Sequence, residues 1–171
     1  MAKKILVVCT GNLCRSPMAM ALLQDKLDED EARQGWQVES AGTWGAEGIP
    51  ASAHAVAEMA ERGIDLRSHQ ARRVTHQMVT EADLVLAMTQ NHVEGLKTAF
   101  PDQARKVHLL SEMIGREYDI QDPYGGTRSE YAYTAKELEE LVEKGYERIV
   151  ALAEGASDPD QQSCPENKST D

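Results

Sequence analysis

Apolar residues recur along this chain with two alternating periods, one suited to strands and one to helices. Lys4-Ile5-Leu6-Val7-Val8 is a short, β-branched apolar run and predicts a buried strand over residues 4–9. Ala19, Leu22, Leu23 and Leu27 then share one face of a helix expected over residues 17–28. Trp36-Gln37-Val38-Glu39-Ser40 predicts a second, short strand. Val56, Met59 and Ala60 mark the inner face of a helix over residues 52–62, stopped by Gly63. A short helix is expected over residues 75–80, a third buried strand over residues 83–88 and a helix over residues 90–100 that ends at Pro101. Val107 to Leu110 predicts a fourth strand. Residues 111–128 carry no period, and an irregular stretch of that length in a compact domain points to a functional loop. Leu138, Leu141, Val142, Ile149 and Leu152 stripe a long helix that runs to about Glu154.

Strands that alternate with helices imply an α/β fold: a four-stranded parallel sheet flanked by helices on both faces, Rossmann-like in layout. Ligands of such sheets bind beyond the strand C-termini. One domain is expected over residues 1–154, with no internal repeat. Residues 155–171 are polar, contain Pro and show no apolar period, as expected of a disordered tail.

Charge narrows the partners. The 171 residues carry 29 Asp and Glu against 18 Lys and Arg, which argues against nucleic acid or an anionic membrane as partner. No apolar run reaches the length of a membrane span, and Met1-Ala2-Lys3-Lys4 leads directly into a strand, so no signal peptide is expected. Three cysteines, at positions 9, 14 and 164, form neither a disulfide framework nor a zinc pattern and suit a reducing, cytoplasmic setting. His54, His76, His92 and His108 show no metal-ligand spacing, so neither a metal nor another cofactor is expected.

The chemistry concentrates in Val8-Cys9-Thr10-Gly11-Asn12-Leu13-Cys14-Arg15-Ser16-Pro17. A tight loop here links a buried strand to a helix start, with Ser16 as expected N-cap and Pro17 at the first helical position. Convergent N–H groups above a helix N-terminus cradle a tetrahedral oxyanion. Cys9 lies at the loop base, where the same field favours a thiolate nucleophile. Arg15 offers a planar fork to two phosphate oxygens. Thr10, Gly11, Asn12, Leu13, Cys14 and Ser16 complete the expected phosphate contacts, and Ser16 can also hydrogen-bond the sulfur. Inorganic phosphate and other oxyanions are the ligands that such a loop would take. Cys14 is either a small packed side chain or a backup thiol able to form a reversible disulfide with oxidised Cys9.

With these residues the chain resembles the low-molecular-weight protein tyrosine phosphatases. The loop is matched by Ser40-Ala41-Gly42-Thr43, by Arg62-Gly63-Ile64-Asp65-Leu66 with His69, by Ala82 to Met88 and by Asp122-Pro123-Tyr124, in family order over residues 3–154. The resemblance implies hydrolysis of phosphorylated protein through a cysteinyl-phosphate, with Asp122 as general acid. Pro123 holds Asp122 extended, and Asp119 is its near competitor. The resemblance also implies that Asn12, Ser40 and His69 form a supporting polar network, and that Leu13, Trp44 and Tyr124 wall the cleft.

Two branches of the family compete for this sequence. Met88-Thr89-x-x-His92, Asp122-Pro123-Tyr124-Gly125-Gly126 and the Glu-rich stretch from Thr134 to Leu141 look like the bacterial protein arginine phosphatases. That branch carries Thr where this chain has Leu13, and an apolar Leu13 suits a phenyl ring better than a desolvated guanidinium. Phosphotyrosine is therefore the expected substrate, with phosphoarginine second. A thioredoxin-coupled arsenate reductase would need two further downstream cysteines, and only Cys164 is present. A silent phosphopeptide binder would have no use for Cys9, Arg15 and Asp122 together.

Overall fold

The computed structural model describes residues 1–157. Four strands, β1 (Lys4–Cys9), β2 (Gln37–Gly42), β3 (Leu84–Ala87) and β4 (Val107–Leu109), form one sheet in the order β2-β1-β3-β4. Every pairing is parallel, and β1 sits centrally, with Val8 opposite Ala41 on one side and Ala87 on the other. Among the described residues, five α-helices connect and cover the sheet: α1 (Arg15–Glu29), α2 (Ala53–Glu61), α3 (His76–Glu81), α4 (Gln90–Ala99) and α5 (Arg128–Ala153). The expected α/β fold with a parallel sheet is the one observed.

Period-two alternation along the strands builds two separate cores. Ile5, Val7 and Cys9 of β1 face a core shared with α1, α2 and α5, including Met18, Leu23, Met59 and Leu138. Leu6 and Val8 face the opposite core with Val79, Val93 and Leu96. Burial of each such side chain contributes about 1.5–3 kcal/mol relative to exposure. Because β1 is buried on both faces it reads as a continuous apolar run, which is why its place was legible in the sequence.

The chain leaves β1 toward β2 and returns to the other side for β3, so the order reverses beside β1. Crevices at such reversal points, outside the strand C-termini, are where α/β sheets bind ligands. Cys9, the last residue of β1, stands at this point.

Element ends shift by a residue or two from expectation, and three of the differences bear on the site. The first helix begins at Arg15 rather than Pro17, with Cys14 at the N-cap and no side-chain cap. Ser16 therefore lies inside the first turn, and its hydroxyl is directed elsewhere. Pro17 is still tolerated because N–H groups of a first turn have no intrahelical partner to lose. Second, β2 starts one residue later and extends through Gly42. Third, the stretch expected to be irregular after β4 opens with a short 3-10 turn over Leu110–Ile114. That turn lies hard against α5: a Cβ added at Gly145 would sit 2.7 Å from Met113 Cβ. Ser111 Oγ then donates to Tyr118 O at 2.8 Å and accepts from Tyr118 N at 3.0 Å, which pinches the loop that leads to Asp122. Of the expected tail, residues 158–171, Cys164 among them, lie outside the described residues.

Candidate active site

The loop from Thr10 to Cys14 turns sharply because Asn12 adopts a left-handed conformation, φ 58°, alone among the described non-glycine residues. Such a conformation is costly for most side chains and needs bracing. Asn12 is fully buried, and its amide is used on every side. Nδ2 donates to Ser16 Oγ and to Ser40 Oγ, both at 2.9 Å, and Oδ1 accepts from Arg72 N at 3.0 Å. The Asn12 carbonyl accepts from His69 Nε2 at 2.8 Å, which fixes the proton of that ring on Nε2. Burial pushes the His69 pKa below the ordinary histidine value, and Arg72 adds to this, against the opposing hydrogen bond to Asn12. Ser40 and His69 are thus brought together with Asn12 under the loop.

The end of β2 clamps the loop from the side. Thr43 N donates to Cys9 O at 3.0 Å, and Trp44 N donates to Thr10 O at 2.9 Å. Gly42 is required at this approach. A Cβ there would stand 2.4 Å from Thr10 O and 3.1 Å from Asn12 N, both backbone atoms.

Cys9 is buried at the loop base, and its Sγ lies 2.9 Å from Ser16 Oγ. Because Asn12 Nδ2 already donates to Ser16 Oγ, the serine proton is available to a thiolate at Cys9. The Ser16 hydroxyl thus serves the sulfur and the loop and does not cap the helix.

Arg15 is only 4% exposed. Nη1 donates to Ile120 O at 2.8 Å, and Nη2 reaches Thr10 Oγ1 at 3.4 Å and Asp122 Oδ2 at 3.4 Å. Its Nε is buried with no hydrogen-bond partner. A buried guanidinium with an unused N–H is costly unless an anion meets it.

Asp122 is 45% exposed and its Oδ1 accepts from Tyr124 N at 3.1 Å, so its carboxyl faces both Arg15 and solvent. Asp119 is committed elsewhere. Its Oδ1 accepts from Gln90 N at 2.8 Å, at the first residue of α4. Beside Asp122 opens a cleft of about 330 Å³ lined by Tyr124, Gly126, Ser129, Tyr133 and Thr134. Tyr124 is 66% exposed and Trp44 71%, so both stand as open rim aromatics. The Arg73 guanidinium lies over the Trp44 ring, 5.4 Å from its centroid. Leu13 is half-buried and packs against the larger core at its edge.

Cys14 takes its hydrogen-bond partners from outside the loop. Its Sγ lies 3.1 Å from Tyr131 OH and 3.4 Å from Ser52 Oγ, and burial pushes the thiol pKa up. The Tyr131 hydroxyl is pushed up to about 12 by burial and by its bond to Cys14. Cys9 and Cys14 are both free thiols. Among the described residues no group of three His, Cys, Asp or Glu side chains could hold a metal ion.

A nucleophile-bearing anion loop after a first parallel strand, with a carboxyl brought to its arginine from over a hundred residues away, has close counterparts. The family model described as low molecular weight phosphotyrosine protein phosphatase matches residues 4–153. The chain belongs to this family. It is a low-molecular-weight, cysteine-dependent protein phosphatase. Among its relatives is a protein-arginine-phosphatase of Geobacillus stearothermophilus, 39% identical over 150 residues, 87% of this chain and 97% of that protein. Another is a probable low molecular weight protein-tyrosine-phosphatase, EpsP, of Ralstonia nicotianae, 38% identical over 89% of this chain and 99% of that protein. A crystal structure of a low molecular weight protein tyrosine phosphatase from T. tengcongensis superposes with a TM-score of 0.81 at 39% identity, covering 86% of this chain and 99% of that one.

The phosphatase site also holds residues that sequence reasoning passed over. His92 Nε2 lies 2.8 Å from Thr10 Oγ1, a contact with the phosphate loop that neither its branch motif nor its spacing announces. Ile120 contributes its carbonyl to Arg15 and carries no side-chain signal at all. Ser52, just before α2, and Tyr131 of α5 meet Cys14 from distant parts of the chain, which no local pattern could reveal.

Proposed function

We propose that this phosphatase hydrolyses phosphotyrosine in proteins, with Cys9 as nucleophile, Arg15 as phosphate ligand and Asp122 as general acid. The observation that carries the reading is the convergence of Cys9 with Ser16 Oγ at 2.9 Å, and of Arg15, its Nε unused, with Asp122 at 3.4 Å. In the first step the Cys9 thiolate attacks phosphorus in line, the phosphorus–oxygen bond to the aryl group breaks, and Asp122 gives its proton to the departing oxygen. The loop N–H groups and Arg15 hold the three equatorial oxygens, whose charge is shared in the transition state. In the second step Asp122 takes a proton from water, the water oxygen attacks the cysteinyl-phosphate, and inorganic phosphate leaves with Cys9 again a thiolate. Ser16 stabilises that thiolate in both steps by donating to the sulfur.

Leu13 supports phosphotyrosine over phosphoarginine. It lies in the loop itself, half-buried, and presents methyl groups where a guanidinium would need a polar partner. The open rim aromatics Trp44 and Tyr124 suit the edge of a substrate ring. The protein-arginine-phosphatase relative and the Gly125-Gly126 pair favour phosphoarginine as the second reading. We take residues 1–154 as one phosphatase domain working in the cytoplasm, a setting that suits two free thiols in one site. Among the described residues no helix is long and apolar enough to cross a membrane.

Cys9→Ser tests the mechanism. Turnover of an aryl phosphate is expected to vanish while vanadate or inorganic phosphate still binds, because the loop and Arg15 hold the anion without sulfur. Activity near wild type in that variant would overturn the assignment.

A further inference from the structure

His92 sits in the first turn of α4, is 8% exposed and is engaged at both ring nitrogens. Nδ1 lies 3.0 Å from Thr89 Oγ1, and Nε2 lies 2.8 Å from Thr10 Oγ1. Thr89 is the N-cap of α4, and its Oγ1 accepts from the His92 backbone N at 3.2 Å. With that acceptor in use, the Thr89 hydroxyl proton is free to go to Nδ1. The ring then carries its own proton on Nε2 and donates it to Thr10. Thr10 Oγ1 also accepts from Arg15 Nη2 at 3.4 Å. Two donors therefore occupy the Thr10 oxygen and fix the orientation of its hydroxyl beside Arg15.

These bonds close a ring around the guanidinium. Arg15 Nη1 donates to Ile120 O, Ile120 N donates to Met88 O at 3.0 Å, and Met88 leads through Thr89 to His92, Thr10 and back to Arg15 Nη2. The ring joins the phosphate loop, the first turn of α4 and the base of the segment that carries Asp122. Burial pushes the His92 pKa down to about 4, and the Arg15 charge beside it acts the same way, so the imidazole is neutral near pH 7 and adds no charge to compete with Arg15.

We propose that His92 is a positioning residue for phosphate binding: by fixing the Thr10 hydroxyl it holds the Arg15 guanidinium in the orientation that receives the phosphoryl oxygens. This rests on reading the Cys9–Arg15 loop as the phosphate site. A histidine that merely fills space would affect stability alone.

The test compares His92→Asn and His92→Gln. An asparagine amide reaches the place of Nδ1, keeping Thr89 but losing Thr10. A glutamine amide reaches the place of Nε2 and keeps a donor for Thr10. Inorganic phosphate binding is measured by calorimetry, independently of turnover, and KM and kcat are measured on an aryl phosphate. His92→Asn is expected to weaken phosphate about tenfold and to raise KM by a similar factor with a smaller change in kcat. His92→Gln is expected to stay close to wild type. In a Thr10→Val background, the difference between Asn and Gln should disappear. The inference is overturned if both variants bind phosphate like wild type, if Gln fails to rescue, or if the difference survives without the Thr10 hydroxyl. If the wild-type protein itself binds no phosphate, the phosphatase reading fails and takes this inference with it.

Discussion

Asn12 shows how much one side chain is asked to do. Its amide and carbonyl meet Ser16, Ser40, Arg72 and His69, which come from three separate segments of the chain. The sequence marked Asn12 because asparagine tolerates left-handed backbone. It did not mark the Arg72 N–H, since a backbone donor has no residue signature. Cys9, Arg15 and Ser16 were legible for the opposite reason: the loop is local, and strand, turn and helix start lie within a dozen residues. The two acidic candidates separate on geometry. Asp122 faces Arg15, whereas Asp119 caps the first N–H of α4. Asp122→Asn is therefore expected to slow aryl phosphate hydrolysis by about 10²- to 10⁴-fold, less so for better leaving groups. Asp119→Asn should leave the chemical step nearly intact and cost about 0.3–1 kcal/mol of stability, since its amide oxygen can still accept from Gln90 N and only the charge at the helix start is lost. Steady-state kinetics over a series of leaving groups, with urea unfolding alongside, distinguishes the two. A large kinetic loss in Asp119→Asn with none in Asp122→Asn would reverse the assignment.

At the scale of elements, strands and long helices followed their apolar periods, and the departures fall where tertiary contacts override local signals. Ser16-Pro17 carries a helix-start signature, yet the helix opens earlier, at Arg15, because the serine hydroxyl is recruited by Cys9 and Asn12. The end of β2 shows the converse. Gly42 has no unusual backbone sign, and its need is visible only once the phosphate loop is packed against it. Gly42→Ala places a methyl group 2.4 Å from Thr10 O, so either the strand or the loop must move. A loss of about 1–3 kcal/mol in unfolding free energy is expected, together with weakened phosphate binding. Unchanged phosphate affinity in a folded Gly42→Ala protein would show that β2 does not hold the loop in place.

At the scale of the whole molecule, a pH response follows from His92 and His69. His92 is depressed from the ordinary value of about 6.5 to about 4, and His69 is depressed as well, both chiefly by burial. Between those pH values the unfolded chain binds protons that the folded protein does not. The stability gained from burying neutral imidazoles is thus fully present above about pH 6.5 and is lost as pH falls toward about 4. Thermal unfolding followed from pH 7 to pH 4 should show a falling Tm, with a shallower slope in His92→Asn. An identical slope in wild type and variant would mean that His92 does not titrate as its burial implies. The acidic balance, 29 Asp and Glu against 18 Lys and Arg, leaves phosphate binding to local donors rather than to the field of the whole protein.

The central claim is that this phosphatase acts on phosphotyrosine, and it is tested most directly by kcat/KM for one peptide sequence carrying either phosphotyrosine or phosphoarginine, on a single enzyme preparation. The apolar Leu13 in the phosphate loop predicts the higher value for phosphotyrosine, by about ten- to a hundredfold, since an unmatched polar group in such a site costs about 1–3 kcal/mol. A higher kcat/KM for phosphoarginine would contradict it and show that the open Gly125-Gly126 rim, not Leu13, governs the choice.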